Sequence, residues 1–209
     1  MKTFTCEQRS VEWHTLRCGI PTASSMEELI TPEFKVRDGE KPRDYTYKKL
    51  AEKVMGYSPS SLNTFHMEQG EITEEEAIGW FELTSGETVS KVGFCMTDDS
   101  RVGCSPDGLL GDSSGIEVKV PAPHTHIEYL CGGVLPKKYA IQVQTSMYVV
   151  GAKNWRFMSY SRFFPPFLIT VQRDPKAQDA IATALDLFWD RFTAAEAKLL
   201  PQIAGKGRD

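Results

Sequence analysis

The segment that most constrains the fold is SPDGLLGDSSGIEVKVP, residues 105–121, in which charged and apolar residues lie on both sides of a turn. Turn-forming residues cluster at Gly111–Gly115 between two short apolar runs, an order that predicts a β-hairpin. With Leu110 opposite Ile116, the strand period of two puts three ionisable side chains on one face: Asp107, Glu117 and Lys119. A slip of one residue would turn one strand's set to the other face, so this register is an assumption.

Charges on a half-buried sheet face are costly unless a partner offsets them, and a divalent cation would do so. Asp107 and Glu117 offer the hard oxygen ligands that Mg²⁺ prefers, and the backbone carbonyl of Val118 is a possible third ligand. Such a metal lowers the pKa of a bound water, while Lys119 would orient that water or stabilise phosphate oxygens. The segment therefore predicts phosphodiester hydrolysis without a covalent enzyme intermediate. The alternative is a surface hairpin with an ordinary Glu–Lys pair.

Composition excludes several other classes of protein. The chain has 209 residues, 41% hydrophobic and 25% charged, which is typical of a globular protein and not of a disordered, collagen-like or coiled-coil chain. No apolar run reaches the ~20 residues of a membrane-spanning helix, and the polar start MKTFTCEQRSVEWH predicts no signal peptide. A net charge of −4 excludes a globally basic nucleic-acid binder but leaves room for a local basic groove.

Cysteine usage indicates a reducing compartment. The five cysteines are odd in number and show no CxxC spacing, so we expect free thiols in a cytoplasmic protein. Only His124 and His126 lie close together in sequence, which argues against a zinc site.

The order of helical and strand-like patterns predicts an α/β core of about five strands flanked by helices. A capping box at Thr5–Gln8 predicts the start of the first helix. We expect a single domain over residues 1–209 in four parts: N-terminal helices in 1–86, a catalytic strand cluster in 87–121, a helix-strand-strand-helix unit in 137–200, and a frayed tail in 201–209.

The Pro106-Asp107 and Glu117-Val-Lys119 elements resemble the PD-(D/E)XK nuclease motif. That resemblance implies a restriction-endonuclease-like core with a central mixed sheet. Further segments occur in the order found in the bacteriophage lambda exonuclease family, and the similarity spans about residues 8–175. These are WHTLRCGIPTAS (13–24), GEITEEEA (70–77) with FELTSG (81–86), YAIQVQTSM (139–147), and Arg173-Asp174.

This resemblance implies a Mg²⁺-dependent 5′→3′ exonuclease, with Mn²⁺ as a possible substitute, that acts on linear double-stranded DNA. Such an enzyme releases mononucleotides and leaves 3′ single-stranded tails. The family also implies a homotrimeric ring around DNA, a single-strand annealing recombinase as partner, and a phage or prophage protein in the bacterial cytoplasm.

The resemblance assigns metal binding to Asp107 and Glu117 and catalysis to Lys119, with Glu74 assisting at the metal. Locally, Glu74 lies in a run of three glutamates, which usually marks a solvated helix face.

The Tyr-x-x-Gln-x-Gln segment offers two glutamines, and helix geometry separates them. Residues two apart on a helix differ by about 200°, so Gln142 and Gln144 cannot both face the site. Tyr139 shares a face with Gln142. We therefore expect Gln142 to bond the water or scissile phosphate, Tyr139 to lie at the DNA, and Gln144 to be structural.

Three residues match the family's pocket for the 5′-phosphate: Arg17, Ser24 and Ser105. Arginine gives bidentate phosphate contacts and serine hydroxyls add hydrogen bonds. Arg17 could instead be an ordinary charge at a helix C-terminus. The family's second pocket arginine falls at Thr125, where only the two flanking histidines could substitute.

Lys35 and Arg37 lie in a charged loop and could contact the DNA backbone, or simply be solvated. Trp13 is expected in the core.

Three rival interpretations remain. One is another PD-(D/E)XK nuclease, an endonuclease or an exonuclease of the CRISPR-adaptation type with an iron–sulfur cluster, which the scattered cysteines disfavour. The second is a non-catalytic DNA-binding or anti-restriction module, and the third is a metal-stabilised structural domain.

Overall fold

The computed structural model describes residues 1–58, 67–111 and 113–204. Its helices are α1 (Val11–Arg17), α2 (Glu40–Met55), α3 (Met67–Ser85), α4 (Pro123–Gly132), α5 (Lys137–Val150) and α6 (Pro175–Ala204), with a 3₁₀ helix at Ala23–Glu28. Its strands are β1 (Lys2–Phe4), β2 (Val89–Ser90), β3 (Phe94–Met96), β4 (Gly103–Cys104), β5 (Gly108–Leu110), β6 (Gly115–Lys119), β7 (Asn154–Ser159) and β8 (Phe167–Gln172).

The larger sheet has five strands in the order β2-β5-β6-β7-β8. Only β6 and β7 are parallel, and the other three pairs are antiparallel. A parallel pair needs a crossover connection, which α4 and α5 supply between these two strands. The structure thus confirms a mixed five-stranded sheet flanked by helices, with β6 at its centre.

A second, three-stranded antiparallel sheet, in the order β1-β3-β4, was not predicted. It corrects two expectations. The N-terminal part, 1–86, is not purely helical, because it begins with β1. The strand cluster in 87–121 is divided between the two sheets, since β3 and β4 pair with β1, whereas β2, β5 and β6 belong to the larger sheet.

The hairpin of β5 and β6 has a register two residues away from the prediction. Gly108 pairs with Ile116, where the sequence predicts Leu110. The turn is tighter than expected, because the Ser113 N–H already donates to the Leu110 carbonyl at 3.1 Å. A shift of two residues keeps every side chain on its face, so the predicted common face of the three ionisable residues survives the error.

Several helix bounds also differ from the predictions. Ser10, and not Thr5, caps α1: its side chain accepts from the Trp13 N–H at 3.2 Å. Helix α4, whose first residue is Pro123, has no counterpart among the predicted helices. The tail expected to fray from Pro201 is helical through Ala204. The predicted loop at residues 59–61 lies outside the described residues.

Three apolar clusters hold these layers together. The largest joins the 3₁₀ helix, α2, α5 and α6 beside the smaller sheet. A second packs α3 on β2, β5 and β6, and a third packs α4 and α5 on β7 and β8. The central strand β6 is therefore covered by apolar contacts, and its polar side chains are held in a low-dielectric setting. No helix in the described part of the chain is long and apolar enough to cross a membrane.

Candidate active site

The predicted catalytic residues meet where the start of β5 lies beside β6. Asp107 directly precedes β5, whereas Glu117 and Lys119 lie on β6. The backbone N–H of Val118 donates to Asp107 Oδ2 at 2.6 Å, which holds this carboxylate against the edge of β6. Lys119 Nζ donates to Glu117 Oε1. The three residues thus form one connected polar group.

The electrostatics of this group are unfavourable for its carboxylates. Glu117 is 1% exposed. Burial raises its pKa; Lys119 opposes the shift and Glu74 adds to it. Burial, followed by repulsion from Glu117, raises the pKa of Asp107 to about 7. Burial disfavours the Lys119 ammonium, but the neighbouring carboxylates outweigh that effect and raise its pKa. The group would therefore gain from an additional positive charge.

One carboxylate oxygen of this group accepts no hydrogen bond from the described residues. Glu117 Oε1 accepts from Lys119 and Gln142, but the buried Oε2 has no donor among the described residues. A buried carboxylate oxygen without a donor is costly, and a cation beside it would remove that cost. The donor set therefore fits a metal ion.

The remaining ligands also fit a hard cation. Because the N–H and C=O of one strand residue point to the same edge, the Val118 carbonyl lies on the Asp107 side of β6. Two carboxylates and a carbonyl suit Mg²⁺, which keeps several waters. Among the described side chains no three of His, Cys, Asp or Glu converge into a protein-only cage, so water would complete the coordination.

Helix α5 contributes the outer contacts of this group. Gln142 Nε2 donates to Glu117 Oε1 at 2.6 Å, and the Tyr139 ring lies 5.5 Å from Lys119 Nζ. Gln144 faces away: its Nε2 donates to the Gln172 carbonyl at 2.8 Å. The contacts thus place Gln142 and Gln144 on different faces of α5, as the helical spacing predicts.

A cleft of about 340 Å³ opens beside Asp107 and is lined in part by Glu74 on α3. Sequence reasoning missed two other residues of this cleft. Gln8 Nε2 donates to the Pro106 carbonyl at 2.9 Å and so holds the chain that carries Asp107. Arg9 lowers the pKa of Asp107 by its charge. Its φ of 71° is left-handed, a strained conformation that recurs at functional sites. The spacing of residues gave no signal for either one.

The three predicted phosphate-binding residues come from separate segments and meet in space. Arg17 on α1 donates to Ser105 Oγ at 3.0 Å and to Ser24 Oγ at 3.3 Å. Trp13, expected in the core, is half-buried and supports Arg17, whose guanidinium carbon lies 4.1 Å from its ring centroid. Trp13 Nε1 also donates to Ser105 Oγ at 2.8 Å. We call this set the Arg17 cluster. Among the described residues, no carboxylate pairs with its guanidinium.

The two histidines near Thr125 differ in their surroundings. His126 is fully buried, with Nδ1 2.8 Å from Ser159 Oγ and Nε2 3.0 Å from the Pro165 carbonyl. Both of its ring nitrogens are occupied, so it is a core residue and has no nitrogen left for phosphate. His124 is exposed in the first turn of α4.

The predicted DNA-contacting loop has one anchored and one exposed cation. Arg37 Nε donates to the backbone carbonyls of Glu27 and Ile30 at 2.9 and 3.1 Å, which fixes the loop to the 3₁₀ helix. Lys35 is exposed. The cysteines are all free, as predicted; Cys95 and Cys104 are buried, and the other three are partly or fully exposed.

Three solved structures that share this fold are described as exonucleases. The alkaline exonuclease LHK-Exo from Laribacter hongkongensis is 28% identical, with a TM-score of 0.82 over 95% of this chain and 100% of that chain. Its complex with dAMP gives 27% identity with the same TM-score and coverage. A phage related exonuclease from Haemophilus somnus 129PT has the same fold at 14% identity, with a TM-score of 0.66 over 86% of this chain and 96% of that chain. No protein of curated function matches the sequence significantly.

The likeness to LHK-Exo marks this chain as a homologue of an alkaline exonuclease, as the residue resemblance implies. The model of the YqaJ-like viral recombinase domain matches residues 12–153, more than half of the sequence. That range contains the Arg17 cluster, both carboxylates, the lysine and the glutamine described above. The chain therefore belongs to the YqaJ-like viral recombinase family.

Proposed function

We propose that this protein is a Mg²⁺-dependent 5′→3′ exonuclease that removes mononucleotides from the ends of linear double-stranded DNA. The observation that carries the proposal is the Asp107–Glu117–Lys119 group, which has a cleft at its side and a carboxylate oxygen that accepts no hydrogen bond from the described part of the chain. The dAMP found in LHK-Exo supports a nucleotide product.

Asp107, Glu117 and the Val118 carbonyl would hold the metal, which when bound supplies Lewis-acid activation of water and neutralises phosphate charge. Gln142 fixes the rotamer of Glu117 by its hydrogen bond. Lys119, restrained by Glu117 and by the Tyr139 ring, would orient the water or stabilise the phosphoryl oxygens. Glu74, across the cleft, would assist in placing the water or a second ion.

In this reaction the water oxygen bonds to phosphorus and the bond from phosphorus to the 3′ oxygen breaks. One proton of the attacking water passes to solvent, and solvent supplies a proton to the leaving 3′ oxygen, which becomes the 3′-hydroxyl of the released mononucleotide. With 5′→3′ polarity, the shortened strand keeps a new 5′-phosphate after each cut. The Arg17 cluster would bind this group, because a guanidinium and two hydroxyls are suited to phosphate. Lys35 and the outer nitrogens of Arg37 would contact the DNA backbone.

The test is digestion of a linear duplex labelled separately at its 5′ and 3′ termini, with Mg²⁺, Mn²⁺ or chelator. We expect early release of the 5′ label as mononucleotide in Mg²⁺, no release in chelator, and no cutting of closed circles. Lys119→Ala should be inactive, and Lys198→Ala, an exposed lysine on α6, serves as the matched control. Intact termini in the wild type with Mg²⁺ would contradict the proposal.

We further propose that the active form is a homotrimeric ring and that it cooperates with a single-strand annealing recombinase. The family description, a viral recombinase domain, supports a role in recombination. Light scattering should give three times the chain mass of 23.5 kDa. A mass of one chain at working concentration would contradict the ring.

A further inference from the structure

Three consecutive glutamates of α3, Glu74, Glu75 and Glu76, lie in three different surroundings. Glu74 lines the cleft beside Asp107, and its charge acts on Glu117. Glu75 and Glu76 point in other directions, because consecutive residues of a helix are separated by about 100° around its axis. A run of like charges usually marks a solvated face, but here each carboxylate has its own neighbours.

Each of the two outer glutamates forms an ion pair with a residue that follows a strand of the larger sheet. Arg162, three residues after the end of β7, donates to both oxygens of Glu76, with Nε–Oε2 at 2.7 Å and Nη2–Oε1 at 2.6 Å. Lys91, directly after β2, donates from Nζ to Glu75 Oε1 at 2.7 Å. Strands β2 and β7 lie on opposite sides of β6. The two pairs therefore hold α3 from both flanks, and we call them the α3 clamp.

The clamp acts on a part of α3 that lies ahead of the helix's apolar packing. Among the described side chains of α3, those that pack in the apolar cluster with β2, β5 and β6 all come after Glu74: Ala77, Ile78, Trp80 and Phe81. Glu74 therefore lies about one turn beyond the packed segment. The ion pairs of the next two residues fix the turn that carries it.

The Arg162 pair also connects α3 to the catalytic strand. The Tyr160 N–H donates to the Lys119 carbonyl at 2.9 Å, which fixes the end of β7 beside β6. Arg162 lies two residues further along the chain and binds Glu76, which is two residues from Glu74. A continuous path of contacts thus runs from the catalytic lysine, through the loop after β7, to the turn of α3 at the cleft.

From this geometry we infer that Arg162 and Lys91 are positioning residues that clamp α3 and so hold Glu74 at the metal-binding group. The importance of Glu74 for catalysis rests on the proposed function, whereas the clamp itself does not. Exposed ion pairs contribute little to stability, and a bidentate pair of arginine with a carboxylate is the kind that contributes most. Arg162 should therefore have a larger effect than Lys91.

The first experiment needs no nuclease activity. Amide hydrogen exchange along α3 is compared in the wild type, in Arg162→Gln and in the matched control Arg191→Gln, which breaks a surface ion pair between α6 and Asp38. In Arg162→Gln we expect the amides of residues 74–77 to exchange up to about fivefold faster, the factor for one exposed ion pair at the upper end of the usual range. Amides after Phe81 should keep the wild-type rate, and Arg191→Gln should match the wild type throughout. Unchanged exchange at 74–77 in Arg162→Gln would overturn the clamp.

The second experiment measures kcat and KM on a linear duplex, with single-turnover rates for slow variants. Arg162→Gln should lower kcat up to about fivefold with little change in KM, because Arg162 holds α3 and not the DNA. Arg162→Lys, which keeps the charge, should restore part of the loss. In a Glu74→Gln background, Arg162→Gln should have no further effect, because the carboxylate that it positions has been removed. Losses that multiply in the double variant would overturn the positioning role.

A charge exchange distinguishes the clamp from a direct contact of Arg162 with DNA. Arg162→Glu alone places two carboxylates together and should lower kcat more than Arg162→Gln. Adding Glu76→Arg recreates the pair in reverse and should restore kcat to within about twofold of the wild type. A direct DNA contact would give no recovery, and Arg162→Gln would then lower the salt dependence of DNA binding by about one charge; either result would overturn the clamp.

The clamp and the proposed function can fail separately. DNA digestion by the wild type with unchanged exchange in Arg162→Gln would refute the clamp and leave the exonuclease proposal intact. Faster exchange at residues 74–77 in a protein that digests no DNA would retain the clamp and refute the proposed function.

Discussion

At the residue scale, the burial of the Glu117 carboxylate is unfavourable for folding but is useful for binding a cation. Its carboxylate is buried, one oxygen accepts two hydrogen bonds, and the other accepts none from the described residues. A purely structural residue in this position would be more stable as an apolar side chain. The arrangement is therefore the one that the proposed metal site, between Glu117 and Asp107, would require.

The two glutamines of α5 give a matched pair for testing this site. Gln142→Ala removes one donor from Glu117, so we expect kcat to fall about 10- to 100-fold with little change in stability. Gln144→Ala removes buried hydrogen bonds to Gln172 and Asp174, so we expect a loss of about 1–3 kcal/mol in the free energy of unfolding. Steady-state kinetics and urea unfolding measure the two effects. Equal kinetic losses in both variants would refute the separation of roles.

At the element scale, the hairpin shows what a local pattern can and cannot predict. Period-two alternation predicted the shared face, because that depends only on strand geometry. It could not predict the register, because this depends on distant contacts. A Cβ on Gly115 would lie 2.4 Å from the Trp155 ring on β7, and one on Gly108 would lie 2.0 Å from Val89 on β2. Neither partner is visible from the hairpin's own sequence.

The same hairpin provides a stability test. Gly115→Ala would force its methyl against Trp155, so we expect a loss of about 1–3 kcal/mol in the free energy of unfolding. Gly111→Ala lies at the exposed turn, where a Cβ meets nothing within 4 Å, and should change stability by less than about 0.5 kcal/mol. Denaturant unfolding compares the two variants with the wild type. Equal stability of both variants would show that the contact with Trp155 does not restrict this position.

At the scale of the whole molecule, the site is assembled from segments far apart in sequence. Arg17 and Ser105 are 88 residues apart and meet at 3.0 Å. Nothing in the local pattern around either residue predicts this contact. Only the resemblance to the family, whose motifs occur in the same order in this sequence, suggests it. Gln8 and Arg9 had no such guide, because no motif covers them, and their place in the cleft beside Asp107 depends on how the N-terminal segment packs. This part of the cleft could therefore be recognised only in three dimensions.

The metal should also act on the whole molecule, because the free energy of binding adds to the stability of the fold. Asp107 and Glu117 have raised pKa values, so without metal their charged forms destabilise the folded state at neutral pH. Mg²⁺ at 100 times its Kd would add about 2.7 kcal/mol, or roughly 5–10 °C in melting temperature for a chain of this size.

The variants Asp107→Asn and Glu117→Gln should respond to metal in the opposite way from the wild type, which is less stable without Mg²⁺ and more stable with it. Each removes one of two repelling buried charges, so without metal we expect melting temperatures equal to or above that of the wild type. With Mg²⁺ we expect little further increase, because a ligand has been lost. Calorimetry with NaCl at matched ionic strength separates specific binding from screening. If Mg²⁺ stabilised both variants as much as the wild type, these carboxylates would not be its ligands. That result would contradict the proposal of metal-dependent catalysis at this site.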